Sequence, residues 1–377
     1  NRIAHWALSQ GLKTGDTVAL FMENCPAYVA MWYGLSKVGV IPALVNSNLT
    51  GEALVHSIRI VEPSLIITGS EQDEAMRSLA MAPVNTPVWT LGGKVGRDLS
   101  SVLRDMSSER PDRSHREGLT NADIGLYVYT SGTTGLPKAA KMSHARLRIM
   151  MRSFIAPMGM TQKDRVYCTL PLYHGTGGLC AVGFALYAGA SVLMRRKFSV
   201  SRFWDDCADF DVTTIIYIGE LCRYLLNQPA HPKERTHKVR KGFGNGLRAE
   251  IWDKFRTRFN IPKLIEFYGS TEGNVKLMNF DGQTGACGRI PPYAASHLSH
   301  IAFVKVDPET ETPIRDEHGR CVRAGKGETG EALGRVGNDV TTRFEGYQDE
   351  RASNAKILRD VFEEGDACKA AVDYEAI

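Results

Sequence analysis

The first third of the chain alternates short apolar runs with stretches whose apolar residues recur at helical spacing. Residues 17–22 read as a short apolar strand. Pro26 then opens a helical run through Ala30, Met31, Leu35 and Val38, which Gly39 stops. Residues 40–45 and 65–68 predict further strands, with a helix near 50–61 between them. This rhythm predicts a parallel sheet covered by helices. Residues 92–118 turn polar and charged and read as an exposed connection. Order resumes at 124–130, a nearly continuous apolar run of the kind buried on both faces.

The rhythm then repeats. Strands near 166–169, 191–194, 213–218 and 264–268 alternate with helices near 145–154, 202–210, 222–226 and 249–259. From about residue 285, short strands such as 301–306 are separated by Pro, Gly and charged turns, the texture of a small antiparallel or barrel-like unit. The expected organisation is α/β. It has two covered-sheet subdomains at 1–195 and 196–285, a small β subdomain at 286–362, and a divergent tail at 363–377. Residues 168–194 carry no charge except at His174, and residues 176–194 have the length of a marginal spanning helix. Glycines at 175, 177, 178, 183 and 189 favour another parse over a membrane seat: a buried helix near 179–187, a turn at Gly189, and a strand at 190–194 stopped by Arg195, Arg196 and Lys197.

Composition works mainly by exclusion. With 43% hydrophobic and 23% charged residues, the chain is neither disordered nor coiled-coil. Its 46 basic and 42 acidic residues leave +4, which gives no electrostatic case for binding nucleic acid. Eight scattered cysteines without CxxC spacing read as reduced thiols in a cytosolic setting. Nothing in these residues marks a secretory signal; the chain opens on Asn1, already inside an expected helix, so further sequence is expected upstream. The basic run 233–241 reads as a solvated loop face, with phosphate or anionic lipid as the alternative contact.

The candidate chemistry begins at the end of the apolar run 124–130. Thr130, Ser131, Gly132, Thr133, Thr134, Gly135, Leu136, Pro137 and Lys138 follow Tyr129. Two glycines and four hydroxyl side chains leave backbone N–H groups and hydroxyls free to surround an anion, and Lys138 adds a cation. That is chemistry for a polyphosphate. It is not the common P-loop, in which the lysine adjoins the second glycine and a hydroxyl residue follows. Lys138 lies three residues past Gly135, Ala139 follows it, and Pro137 forbids the helix that motif needs.

This loop resembles the phosphate-binding motif of the adenylate-forming superfamily, which includes acyl-CoA synthetases, luciferases and peptide-synthetase adenylation domains. Residues 217–226 (YIGELCRYLL), 244–248 (GNGLR) and 266–274 (EFYGSTEGN) narrow the resemblance. They look like the fatty acid transport protein branch, which comprises long-chain and very-long-chain acyl-CoA synthetases. The resemblance runs from about Asp16 to Asp366 and implies an adenylate-forming N-terminal core.

By resemblance, Glu272 is a Mg2+ carboxylate and Thr130 a hydroxyl near the same ion, in keeping with a hard ion that takes oxygen ligands and bridges to phosphate. Tyr268 and Gly269 end the strand beneath the nucleotide, and Tyr268 offers adenine an aromatic face. Gly244 and Gly246 let backbone approach the base, with Asn245 as a polar contact. Thr271 touches the α-phosphate, and His174 in Pro171–Gly175 lines the acyl and carboxylate side. Taken singly, Glu272 reads as a surface acid, Tyr268 as a core aromatic and His174 as a structural histidine; together they point to catalysis by Lys138, His174 and Glu272.

The resemblance further implies ATP, Mg2+ and CoA as reactants, a fatty acid substrate, and a seat at the cytoplasmic face of a membrane. Departures temper it. The family's Thr-Gly-Asp, whose aspartate binds ribose hydroxyls, aligns with Ala371, Val372 and Asp373, so only the aspartate is kept. The C-terminal lid with its lysine, and an N-terminal membrane-associating segment, are not in the sequence, so weak nucleotide binding and little turnover are expected of residues 1–377. The rival readings are a ligase for another carboxylate and a truncated, non-catalytic binder of nucleotide or lipid.

Overall fold

The computed structural model describes residues 1–80, 85–130, 135–290, 298–310, 312–339 and 342–370. Among these, three sheets form. The first contains β1 (Thr17–Phe21), β2 (Ile41–Leu44), β3 (Leu65–Gly69), β4 (Val88–Leu91), β5 (Arg97–Asp98), β6 (Ile124–Thr130) and β7 (Lys138–Ser143), in the spatial order 5-4-3-1-2-6-7. All its pairings are parallel except β6 with β7. Val18 and Leu20 enter one core cluster while Ala19 and Phe21 enter another, so β1 is buried on both faces with the two-residue period of a strand. Helix Pro26–Ser36 covers one face with Tyr28, Met31, Trp32 and Leu35, spaced to share one side of a helix. Both the apolar runs and their helical spacing are thus realised. In the segment expected to be an exposed connection, a short helix Leu99–Asp105 forms because Asp98 caps it, accepting from the N–H groups of Ser100 and Ser101.

The second sheet holds β8 (Arg165–Cys168), β9 (Ser191–Met194), β10 (Thr214–Ile218), β11 (Lys241–Asn245), β12 (Lys263–Tyr268) and β13 (Leu277–Met278), in the order 13-12-11-10-8-9. It is parallel apart from β12 with β13. This sheet thus takes in residues 165–168 and 191–194, on the N-terminal side of the boundary expected at 195. The third sheet is antiparallel: β14 (Ile301–Val304), β15 (Glu331–Arg335), β16 (Ile357–Arg359) and β17 (Ala367–Ala370), in the order 14-15-17-16. Among the described residues no helix is long and apolar enough to cross a membrane. The apolar stretch that raised the question is a π-helix, Gly175–Ala181, running into helix Val182–Ala188 and ending at the left-handed Gly189. Gly177 and Gly178 serve packing, because a Cβ at either would collide with the carbonyl oxygen of Pro171 or Leu172.

The basic run 233–241 divides. Lys233 and Lys238 form exposed pairs with Asp209 and Asp211, as a solvated face would, but Lys241 lies in β11 and is buried. Its ammonium is 3.3 Å from the fully buried Asp164, which also accepts from Arg240 at 2.6 Å, the Thr213 hydroxyl at 2.8 Å and the Thr161 N–H at 2.9 Å. Burial pushes the Asp164 pKa up, but the Thr161 and Thr213 hydrogen bonds and Lys241 outweigh it and hold the carboxyl below its ordinary value. Its stabilising contribution is therefore complete above the ordinary carboxylate range and lost as pH falls through the lowered value. Asp164→Ala should cost about 3–5 kcal/mol by stranding Lys241, and should flatten the acid limb of stability. Urea unfolding of both proteins across acid pH checks this; a loss below about 1 kcal/mol, the range of an exposed pair, would show that the network is dispensable.

Candidate active site

Parallel pairing sets Ile218 beside Asn245 and Gly244 beside Glu266, so β10, β11 and β12 end on one edge. Open α/β sheets build ligand sites at this carboxyl edge. The edge borders a cavity of about 310 Å³, lined by Ile218, Asn245, Tyr268, Gly269 and Thr271, by His174–Gly177 opposite, and by the apolar Met150, Phe154 and Phe267. Aromatic packing makes that last wall rigid, with Phe154 and Phe267 each tilted or stacked on Phe243 at 4.7 and 4.9 Å. The Thr176 hydroxyl lies 3.4 Å from Asn245 Oδ1 and ties the two sides together. Burial pushes the His174 pKa below its ordinary value, which favours the neutral imidazole.

The loop after β12 is fixed from behind. Arg146, in the first turn of helix His144–Arg152, donates through Nε and Nη2 to the Thr271 carbonyl at 3.1 and 2.7 Å, and through Nη2 to the Gly273 carbonyl. Between these two carbonyls lies Glu272, whose side chain is 3% exposed. Its Oε1 is 3.1 Å from the ammonium of Lys369 in β17, itself 1% exposed. Lys369 also donates to the Ala370 carbonyl at 2.9 Å.

The cavity thus gathers His174, Asn245, Tyr268, Gly269 and Thr271 from the residues expected in the site. Glu272 adjoins them along the chain, held by Lys369. Thr130 and Lys138 face each other across the β6–β7 pair, so the phosphate-type loop joins antiparallel strands rather than a strand and a helix. The Lys138 ammonium lies 5.7 Å from the Tyr347 ring centre. Gly244 has a structural use: a Cβ there would strike Tyr217 across the sheet. Gly135 and Gly246 both take positive φ, 82° and 76°. Ser131, Gly132, Thr133, Thr134 and Asp373 lie outside the described residues.

Two features suit a hard divalent ion. The Thr130 hydroxyl is buried without a hydrogen-bond partner among the described residues, and Glu272 is a buried carboxylate at the strand edge. A hydroxyl and a carboxylate are the oxygen donors magnesium takes beside substrate phosphates, and Lys369 competes for Glu272. Sequence reasoning missed Arg146, Lys276 and Lys369. The last two carried a usable signal: each is a lone cation inside an apolar run, Val275–Met278 and Ala367–Ala370.

Lys369→Met should leave Glu272 buried without its cation, at a cost of about 3–5 kcal/mol. The carboxylate would then be open to a metal. Thermal melts with nucleotide present should accordingly show a larger magnesium-induced rise for the variant than for the parent. Equal rises would remove Glu272 from any metal site.

Solved structures similar to this chain include the N-terminal domain of FACL13 from Mycobacterium tuberculosis, with TM-score 0.76 and 18% identity over 100% of this chain and 88% of that one. ATP-bound MatB from Rhodopseudomonas palustris gives 0.75 and 22%, over 98% and 71%. At such identities they speak for the fold, that of the N-terminal part of adenylate-forming ligases. Among curated proteins, long-chain fatty acid transport protein 1 of Mus musculus is 38% identical over 380 residues, and protein 6 of the same organism 39% over 376. These alignments cover 99% and 97% of this chain but 59% and 60% of the relatives. The AMP-binding enzyme family matches residues 1–341, and the chain belongs to that family.

Proposed function

We propose that this chain is the nucleotide- and acyl-binding core of a long-chain or very-long-chain fatty acyl-CoA synthetase. The observation that carries the reading is the single cavity that joins an apolar wall of Met150, Phe154 and Phe267 to Asn245, Tyr268 and Thr271. A fatty acid placed there sets its tail against the apolar wall and its carboxylate toward Thr271 and His174. In this reading Tyr268 offers its face to adenine, Asn245 its amide, and Thr271 its hydroxyl to the α-phosphate. Thr130, the loop through Lys138 and Glu272 serve the phosphates.

The carboxylate oxygen attacks the α-phosphorus as the bond to pyrophosphate breaks, giving acyl-adenylate. The thiol of CoA then attacks the acyl carbon and AMP leaves. No enzyme nucleophile is needed, so the residues act by positioning and by offsetting phosphate charge. Mg2+ bound by Thr130 and Glu272 would supply further charge neutralisation. Operation at the cytoplasmic face of a membrane belongs to the same proposal, as does coupling to fatty acid uptake, which the relatives' names as fatty acid transport proteins support.

One observation favours a second reading, a non-catalytic binder of nucleotide or lipid: the Lys369 ammonium already neutralises Glu272. ATP–pyrophosphate exchange with carboxylates of graded length separates the two. The synthetase reading expects exchange that depends on long saturated acids; intact ATP binding with no exchange under any acid favours the second. A cation at position 138 should matter to both. Charge-assisted contacts contribute about 1.5–3 kcal/mol each, so Lys138→Ala should weaken ATP binding about tenfold or more. Unchanged affinity in calorimetry would take Lys138 out of the nucleotide site.

A further inference from the structure

Lys276 is the one lysine or arginine among the described residues lining the cavity. Val275 and Leu277 flank it in sequence, and it shares the cavity with Met150, Phe154, Phe267 and Cys180. No described residue gives it a hydrogen bond or an ion pair, although described interactions hold Arg146, Glu272 and Lys369 close by in the chain or in space. Its position is fixed by its own backbone: it lies between the buried Val275 and β13, and its Cγ packs beside Gly269.

A lysine in a cavity that takes only methylene groups is an unsatisfied cost, since an ammonium needs partners when water leaves. Burial, followed by repulsion from Arg146, pushes this ammonium down to about 7, while the Cys180 thiol and Glu345 act the other way. His174, the other basic group lining the cavity, also has its pKa lowered by burial. An incoming anion would therefore find an amine ready to charge, with no ion pair to break among the described residues.

We propose that Lys276 recognises a second carboxylate carried by the acyl substrate, so that the cavity prefers an α,ω-dicarboxylic acid to the plain fatty acid of equal length. The inference rests on the acid-activating reading of this site and names its substrate class more narrowly. One carboxylate lies toward Thr271 for adenylation, and the chain runs along the apolar wall. The other carboxylate pairs with Lys276. A site built to pair with a substrate group discriminates strongly against the analogue that lacks it, because the site's own polar group is then left bare.

The test needs binding only, not turnover. Residues 1–377 are loaded with ATP and titrated with matched mono- and dicarboxylic acids of graded length, for the parent and for Lys276→Met. The parent should bind the best dicarboxylic acid at least about tenfold tighter than its monocarboxylic partner, the scale of a charge-assisted contact. Lys276→Met should lose that preference while binding the plain acid as well or better. If Lys276→Met does not fold, Lys276→Gln, which keeps a polar head without the charge, should show the same loss of preference. Equal binding of the two acids by the parent overturns the inference. So does a variant that weakens both acids alike, since Lys276 would then hold the reacting carboxylate. Failure of the folded, ATP-bound parent to bind either acid would instead sink the acid-activating reading itself, and this inference with it.

Discussion

Arg146 is a guanidinium that the fold buries almost completely, and much of the site follows from having to satisfy it. It cannot shed its charge, so its donors demand acceptors. Burial pushes its pKa down while Glu345 and Glu272 push it back. The acceptors it finds are the carbonyls on either side of Glu272, which fixes that loop to helix His144–Arg152. The same helix is capped by Ser143, whose hydroxyl accepts from the Arg146 N–H and whose own N–H donates to Glu345 at 2.6 Å. One buried cation thus joins the end of β7, the turn after β12 and the segment that carries Glu345. Removing an acceptor from such a group costs more than an ordinary hydrogen bond, because the charge stays behind.

Among the described residues, the charges near the cavity balance only while Lys276 stays neutral. Arg146 and Lys369 are set against Glu345 and Glu272, and Lys276, held down to about 7, adds a further cation as it protonates. In a region of low dielectric that added charge is expensive without ligand and favourable with an anion bound. A polyphosphate and a carboxylate both supply what is missing. The family assignment and the electrostatics therefore agree on the sign of the ligand, although they rest on unrelated observations.

The parallel sheets were legible because their strands are buried on both faces and read as apolar runs at the places found. Two of the strands that escaped notice lack that signature. β11 is Lys241-Gly242-Phe243-Gly244-Asn245, with two glycines and a lysine, a poor strand by propensity. It forms because β10 and β12 flank it and Tyr217 and Leu264 pack over its glycines, so tertiary context overrides composition. β7 begins on a lysine and shows no clean alternation; its pairing with β6 makes it a strand. Of the site, the hydroxyl- and glycine-rich order was readable and its neighbours in space were not. Lys276 and Lys369 look alike in sequence, each a cation in an apolar run, yet one meets a carboxylate and the other an open cavity. Only the fold decides between those outcomes.

The third sheet looks peripheral but sets part of the site. Along β17, Cys368 and Ala370 enter a small apolar core with Val304 and Leu333, and Lys369 between them leaves by the other face to reach Glu272. Pairing with β15 places Lys369 opposite Gly334 and Cys368 opposite Arg335. Asn274 seals the contact from the other side, donating to the carbonyls of Gly334, Arg335 and Thr342 at 3.2, 2.8 and 3.1 Å. Because side chains alternate with a period of two, a slip of β17 by one residue would bury the lysine in the small core and turn an apolar residue toward Glu272. Register in this short antiparallel sheet therefore governs whether the carboxylate beyond the end of β12 carries a protein cation. The loop after β12 answers to two masters, Arg146 from the large core and Lys369 from the small one, and its geometry holds only while both sheets keep their register.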